Sequence, residues 1–461
     1  MQFFNSVISI LPEVKGPTEK HLPFNKKLKW TLLILIAFFV LGVVPLYGLE
    51  EAALANFEFL SIILGAQFGF LTTLGIGPIV TASIVLQLLN GSGILKMDTT
   101  TKEGRAFFQG LQKVLAIFFI IFEAIIFVFL GGLTPAVGFS PWALVFQLFI
   151  GGMLILYMDE VMNKWGFGSG ISLFIAAGVS SQIFIRTFSP LNSLGDIAFG
   201  SGQAPVGQLL VFFYSLANGN VNGAMLAASA ILATIFVFAI AVYAQSMKVE
   251  IPLSFGKVRG YGIRWPLKFL YTSNIPVILI AALLANIQLW ASLLQKSGHP
   301  FLGTFSGNTP TSGFVMWVFP PNIVSNIISG IFDPISLAHA GTYAFFLMIG
   351  AVIFSIFWVQ TAGMDAASQA KQLMASGLQI PGFRRDERVL ERILERYIFP
   401  LTIMGALTVG FLAAFADVSG TLSNGTGILL AVMIIYTFYE RIAQDHMVDM
   451  YPAMRKMMGG N

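Results

Sequence analysis

Apolar runs long enough to cross a bilayer recur along this chain, separated by short polar stretches. With about twenty apolar residues per crossing, they predict spans near residues 28–48, 75–95, 112–131, 141–160, 168–188, 223–245, 268–290, 341–362, 399–416 and 426–443. One stretch breaks the pattern. Asn56 to Phe70 is apolar but short, carries Glu58 and is loosened by Gly65 and Gly69. Leu74-Gly75-Ile76-Gly77-Pro78 follows, then a second run from Ile79 to Leu89. The Gly-Pro break discourages one continuous rod. The stretch therefore reads as a re-entrant half-helix, about 56–68, followed by a helix that completes the crossing. Irregular backbone at that depth survives only inside protein or beside a water-filled cavity. Something passes through the middle of this protein.

Charge orients the spans. Of the 26 basic residues, all but Arg186 and Lys296 fall on the side where the chain begins. The cytoplasmic bias of Lys and Arg, with an even number of crossings, predicts that both termini are cytoplasmic. Lys26, Lys27 and Lys29 precede the run Trp30 to Tyr47, which is long and lacks a small-x-small cleavage site, so it reads as the first anchor. Composition agrees with a multi-pass membrane protein. Apolar residues make up 56%, charged residues only 10%, and the mean hydropathy is +0.80. The absence of cysteine excludes disulfides and thiolate chemistry.

The same map contains an internal repeat. Gly168-Ser169-Gly170-Ile171-Ser172-Leu173 opens span five, and Gly425-Thr426-Gly427-Ile428-Leu429-Leu430 opens span ten, which runs the opposite way. Gly77-Pro78-Ile79-Val80 in span two pairs likewise with Ile275-Pro276-Val277-Ile278 in span seven. The expectation is two inverted halves of five spans, 1–222 and 223–461, the second carrying cytoplasmic loops at about 246–267 and 363–398.

Inverted halves often belong to solute transporters, but the spans are nearly bare of ionisable groups. Glu123 is the clearest one at mid-depth. It reads either as the coupling site of an inverted-repeat secondary transporter or as a protonated carboxyl hydrogen-bonded to a neighbouring helix, or one reached by water. Near the break lie neutral polar residues, Thr72, Thr73, Thr81, Ser83 and Gln87, with Asn286 and Gln288 in span seven. Such groups suit helix–helix hydrogen bonds that part and re-form cheaply. Catalysis finds no support: no His-Glu-x-x-His occurs, and Ser169 has no evident histidine within the membrane. No nucleotide-binding loop or cofactor motif is present either. What clusters at the repeat landmarks is aliphatic: Ile76, Val80, Ile171, Ile175, Ile278 and Leu430. That is either ordinary core or a hydrophobic constriction, which blocks ions by dewetting yet yields to a bulky, weakly bound passenger. An unfolded polypeptide is such a passenger.

Two loops carry exposed basic tips. Val249-Glu250-Ile251-Pro252-Leu253 leads into Ser254 to Gly262, a short hairpin with Lys257 and Arg259 at its tip. Pro381-Gly382-Phe383-Arg384-Arg385 makes a second basic turn, followed by a charged helix from Asp386 to Tyr397. Both suit RNA phosphate or acidic protein, with salt-sensitive affinity.

These motifs resemble the SecY family, the α-subunit of the Sec protein-conducting channel, in its archaeal branch. The resemblance is carried by Gly75-Ile76-Gly77-Pro78-Ile79-Val80-Thr81-Ala82, Gly168-Ser169-Gly170-Ile171 and Leu173-Phe174-Ile175-Ala176-Ala177-Gly178. Further on, Val249 to Leu253, Ser273-Asn274-Ile275-Pro276-Val277-Ile278-Leu279, Ala285-Asn286-Ile287-Gln288-Leu289-Trp290 and Gly425-Thr426-Gly427 carry it too. It implies an all-α polytopic protein of ten transmembrane helices that is not an enzyme. It also implies a channel that passes unfolded secretory chains and releases transmembrane segments sideways into lipid. Residues 56–68, with Phe57, Leu60, Ile63 and Leu64, would be the plug. The six aliphatic residues would form the pore ring. Thr81, Gln87 and Asn286 would form a polar cluster at a lateral gate between spans two and three and spans seven and eight. Lys257, Arg259, Arg384 and Arg385 would dock the ribosome. The implied partners are SecE and a β-subunit, the ribosome with its nascent polypeptide, signal peptides, the signal recognition particle receptor and the lipid bilayer of the cell membrane.

Overall fold

The computed structural model describes residues 12–18, 22–50, 69–91, 94–95, 97, 101–129, 133–192, 196–198, 203–255, 262–272, 275–296, 298–306, 309–330, 333–375, 378–379, 386–423 and 425–450. Ten long helices make up most of it. They are α1 (Phe24–Leu41), α2 (Gly77–Gly91), α3 (Lys102–Phe129), α4 (Pro141–Trp165), α5 (Gly170–Phe188), α6 (Val221–Ser246), α7 (Ile275–Lys296), α8 (Pro334–Thr361), α9 (Glu387–Val418) and α10 (Gly425–Met450). Among the described residues, eight helices are long and apolar enough to cross a membrane unaided. The other two of the ten are α1, which carries Lys26, Lys27 and Lys29 among its 18 residues, and α2, which has 15 residues.

The break in the expected pattern is where the backbone turns. At about 1.5 Å per residue α2 falls short of the roughly 30 Å hydrocarbon core, and a turn at residues 69–76 precedes it. That turn satisfies its own backbone. Thr73 N–H donates to the Phe70 carbonyl at 2.9 Å, Gly75 N–H to Thr72 at 2.8 Å, and the Thr73 hydroxyl to the Phe70 carbonyl at 2.6 Å. Gly75 takes φ +55°, the left-handed region that favours glycine. Leu46 N–H donates to the Gly69 carbonyl and Leu71 N–H to the Val44 carbonyl, each at 2.9 Å. The chain thus returns at 69 to the place it left after α1. The plug candidates Phe57, Leu60, Ile63 and Leu64 lie outside the described residues.

Several helices differ from their expected bounds: α3 begins at Lys102 rather than 112, α7 at Ile275 rather than 268 and α8 at Pro334 rather than 341, and two further differences change the architecture. The first span was expected to reach 48, but α1 stops at Leu41, with Gly42 at its C-cap, and Pro45 pairs in a bridge with Phe70. The charged helix from Asp386 and the span after it are one helix, α9, which continues through Pro400. A proline inside a helix removes a hydrogen bond and crowds the preceding turn. Packing carries the helix across: Leu390, Leu394, Ile398 and Leu401 are all buried in one cluster with Ile251, Leu267 and Leu373.

That cluster seats a small sheet beneath the helices. Strands β1 (Lys248–Phe255) and β2 (Gly262–Lys268) form the expected antiparallel hairpin, and β5 (Leu378–Gln379) adds to β1, giving the order β2-β1-β5. Between these lie β3 (Thr304–Ser306) and β4 (Thr309–Ser312), a separate hairpin. The two basic loops therefore share one sheet, through Ser254↔Gln379 and Phe255↔Leu378. Their tips, with Lys257, Arg259, Arg384 and Arg385, lie outside the described residues. The end of α10 joins the same face. Glu440 pairs with Lys268 and, at 3.9 Å, with Lys248, and Asp445 pairs with Lys27 at 2.8 Å.

Helix packing falls into two large apolar clusters. One runs from Ile34 to Phe174 and binds α1 to α5. The other draws mainly on α6 to α10 and takes in Val80, Ile84 and Ala176 from the first half of the chain. Small residues set the close approaches. A Cβ on Gly151 of α4 would lie 1.9 Å from the Leu71 carbonyl oxygen, and one on Gly152 would lie 2.6 Å from Ile120 Cγ2. Gly151→Ala is therefore expected to destabilise the protein by about 1–3 kcal/mol, the cost of overpacking a tight contact. Gly178→Ala, with nothing within 4 Å of its Cβ, serves as the silent control. Thermal unfolding in detergent compares the two, and equal midpoints would refute the tight contact.

Candidate functional site: a central aliphatic ring and an interhelical polar bridge

The six aliphatic candidates all belong to, or pack against, one apolar cluster. Val80, Ile278 and Leu430 are buried in the second cluster, and Ile76, Ile171 and Ile175 pack against it. Ile76 and Ile171 also pack against the first cluster, so they stand where the two meet. Helical spacing explains the pairs: Ile76 and Val80 are one turn apart across the start of α2, and Ile171 and Ile175 one turn apart in α5. All six lie at or near the start of their helices. Proline holds the second position of both α2 and α7, where its missing N–H costs nothing. Val80 and Ile278 each follow that proline by two residues, so the two helices of this sequence pair start alike.

Beside the ring, α2 packs on α7 and α8. The Asn286 amide donates to the Thr81 hydroxyl oxygen at 2.9 Å, joining residues 205 positions apart. Thr81 is buried; its hydroxyl lies 2.9 Å from the Gly77 carbonyl and 3.3 Å from Glu123 Oε1. The Glu123 carboxyl also faces Gly77, whose Cβ position lies 3.5 Å from Oε2. Glu123 is thus hydrogen-bonded to a neighbouring helix, one of the readings its sequence allowed. Gln87 stands apart from this group. It is buried, and its amide donates to Ser83 Oγ at 3.1 Å. Six residues beyond Thr81 on α2, or about 9 Å along the axis, it is out of reach of the Thr81–Asn286 bond.

On the other side of the ring, α5 is tied to the turn before α10. The Arg186 guanidinium donates to the Leu422 carbonyl at 3.0 Å, and Ser423 Oγ donates to Gln182 Oε1 at 2.9 Å. Leu422 N–H donates to Thr234 Oγ1 of α6 at 3.0 Å. Arg186 thus has a structural role.

Sequence reasoning missed two carboxylates. Asp159, on the last turns of α4, accepts Ile171 N–H at 2.8 Å. Asp417, at the end of α9, accepts Thr426 N–H at 2.9 Å, the Thr426 hydroxyl, and the Tyr343 hydroxyl of α8 at 2.7 Å. The signal was present: in each half an aspartate near the end of one helix is followed, within a dozen residues, by the Gly-x-Gly that starts the next. These contacts also correct the register of the repeat. Sequence similarity aligned Gly168 with Gly425, but the structural counterpart of Gly425 is Gly170. Each of these opens its helix and presses on the helix before it. A Cβ would come within 2.6 Å of Asp159 Cα at Gly170, and within 2.0 Å of the Ala416 carbonyl carbon at Gly425.

The geometry is that of an apolar waist with a polar seam, and it is similar to known proteins throughout. A family model described as SecY matches residues 71–439, and one described as the plug domain of Sec61p matches residues 36–69. The protein translocase subunit SecY of Methanothermobacter thermautotrophicus is 45% identical over 99% of this chain and 98% of its own. A solved protein-conducting channel is 40% identical, covers 98% of this chain and 99% of its own, and superposes with a TM-score of 0.82. Sec61 in the canine ribosome–channel complex from the endoplasmic reticulum is 39% identical, with a TM-score of 0.78 and coverage of 98% and 99%.

Proposed function

This chain belongs to the SecY family and is a protein-conducting channel of the translocase, and from that premise we propose how its residues carry the passage. The secondary-transporter reading of Glu123 falls away with the family. Ile76, Val80, Ile171, Ile175, Ile278 and Leu430 form the constriction through which an extended polypeptide slides. The observation that supports this is that all six belong to or pack against one apolar cluster, with Ile76 and Ile171 also packed against the other. Aliphatic side chains there exclude water and ions, yet hold no passenger tightly.

The Thr81–Asn286 bond is the seam that parts when a signal peptide inserts, letting apolar segments leave sideways into lipid. Residues 56–68, with Phe57, Leu60, Ile63 and Leu64, are the plug that closes the funnel; the match to a plug-domain model over 36–69 supports this. The halves 1–222 and 223–461 move against each other. The protein resides in the cell membrane with both termini cytoplasmic, which the placement of its basic residues supports. On that face Lys257, Arg259, Arg384 and Arg385 meet the ribosome, as the ribosome-bound state of its canine relative and the shared sheet beneath both loops support. SecE and a β-subunit complete the assembly, and the signal recognition particle receptor delivers the nascent chain.

The test uses the absence of cysteine. A single cysteine at position 76 or 278, in the assembled channel, carries a photoreactive probe while a ribosome-tethered nascent chain of graded length is translocated. Crosslinks from both positions, appearing only when the chain is long enough to reach the waist, are expected. A chain that is exported without touching either position would overturn the proposal.

A further inference from the structure

The ring residues of α5 and α10 depend on where those two helices begin, and each beginning is held by a carboxylate of the helix before it. In the first half, Asp159 accepts the N–H of Ile171, a ring residue itself. Ser169 at the N-cap accepts Ser172 N–H beside it, so two otherwise orphaned donors of the first turn are satisfied. In the second half, Asp417 accepts both the N–H and the hydroxyl of Thr426, one turn before Leu430. Tyr343 donates to the same carboxylate, so α8, α9 and α10 are fastened at one point. Gly170 and Gly425 let the helix starts approach closely enough for these bonds to form. A negative carboxylate at the positive end of a helix is itself favourable. Among the described residues the arrangement is seen at the starts of α5 and α10, the two helices opened by the repeated Gly-x-Gly.

We propose that Asp159 and Asp417 are positioning residues for the constriction: each fixes the axial position and rotation of a helix start, and so sets how tightly Ile171, Ile175 and Leu430 close the waist. The proposal rests on the ring reading above. A helix whose first turn is unpinned frays there, and in α5 and α10 that turn, or the one after it, carries the side chains that seal. The carboxylates touch no passenger; they act only through the side chains they place.

The experiment measures ion leak from vesicles containing the complete channel assembly. Asp417→Ala and Asp159→Ala are each expected to raise the resting leak roughly fivefold, the ratio to which loss of a helix cap corresponds. Asp417→Asn and Asp159→Asn, whose amide oxygens still accept the backbone N–H, should return it to near the unaltered level. Leu430→Ser is measured alongside. A leak in Leu430→Ser with none in the alanine variants overturns the positioning role and leaves the ring standing; no leak in any of them removes the ring itself. Asparagine variants that leak as much as the alanine ones would also overturn the proposal, since charge rather than placement would then matter. In a double-mutant cycle, Asp417→Ala and Leu430→Ser should combine to much less than the product of their separate effects. Independent, multiplying effects would show that the carboxylate does not act through Leu430. Should Asp417→Ala fail to accumulate, Tyr343→Phe removes only the α8 bond and is expected to leak about two- to tenfold, the ratio for loss of one hydrogen bond; an unchanged leak there refutes the three-helix fastening.

Discussion

Serine at both positions 278 and 430 is expected to turn the resting channel into an ion leak about ten- to a hundredfold above the unaltered protein. Ile278 and Leu430 are buried at the waist, in the same cluster as Val80. An ion crossing an aliphatic ring must shed water and receives nothing in return, which is the barrier. A hydroxyl on its path offers a hydrogen bond to a charged group, worth about 1.5–3 kcal/mol. Each 1.36 kcal/mol removed from a barrier is tenfold in rate, so one well-placed hydroxyl accounts for the expected range. Loss of core packing is the competing explanation and has its own control. Leu148 is fully buried in the first cluster and is not one of the six ring residues. Leu148→Ser should lower the unfolding temperature at least as much as either ring variant while leaving the leak unchanged. Conductance that follows unfolding temperature across all the variants, rather than ring position, would defeat the prediction.

What could be read from the chain was what a bilayer imposes locally. Apolar run length located the crossings, and the Gly75–Pro78 break located the turn before α2, because lipid permits few other arrangements for an exposed backbone. The β1–β2 hairpin was equally legible from its own residues. Long-range chemistry was less so. Asn286 and Thr81 were both singled out as polar residues of spans, but that Glu123 shares their contact while Gln87 does not follows from the rotation and depth of α2 against α3 and α7. No pattern within α2 encodes that. The roles of Asp159 and Asp417 are not legible locally, since the helix starts they hold are twelve and nine residues further on. The continuity of α9 through Pro400 was hidden for a related reason. The local rule against proline is outweighed by burial of Leu390, Leu394, Ile398 and Leu401 against partners elsewhere in the chain.

Asn286→Leu is expected to shift the gate toward its closed form by about tenfold, slowing signal-peptide-dependent export without abolishing it. In the structure the Asn286 amide is half-buried and bonded to Thr81 across the α2–α7 contact. An interhelical hydrogen bond of this kind averages about 0.6 kcal/mol in measured membrane proteins. Withdrawing an amide from water costs about 1–3 kcal/mol on protein scales. The asparagine therefore favours the parted gate, where its amide is hydrated, more than its single bond favours the shut one. Leucine reverses both terms, since it loses the bond but gains by staying packed against α2. The difference of about 1–2 kcal/mol corresponds to roughly a tenfold shift in the equilibrium. Thr81→Val points the same way but is the poorer test, because it also strips Glu123 of the hydroxyl it touches. A cysteine pair placed across α2 and α7, in a chain that otherwise has no cysteine, reports the closed population directly through its rate of disulfide formation. Faster bridging and slower export together are the expected result. Faster export with slower bridging would mean that the Thr81–Asn286 bond clamps the gate shut, and that hydration of the parted seam counts for less than the bond across it.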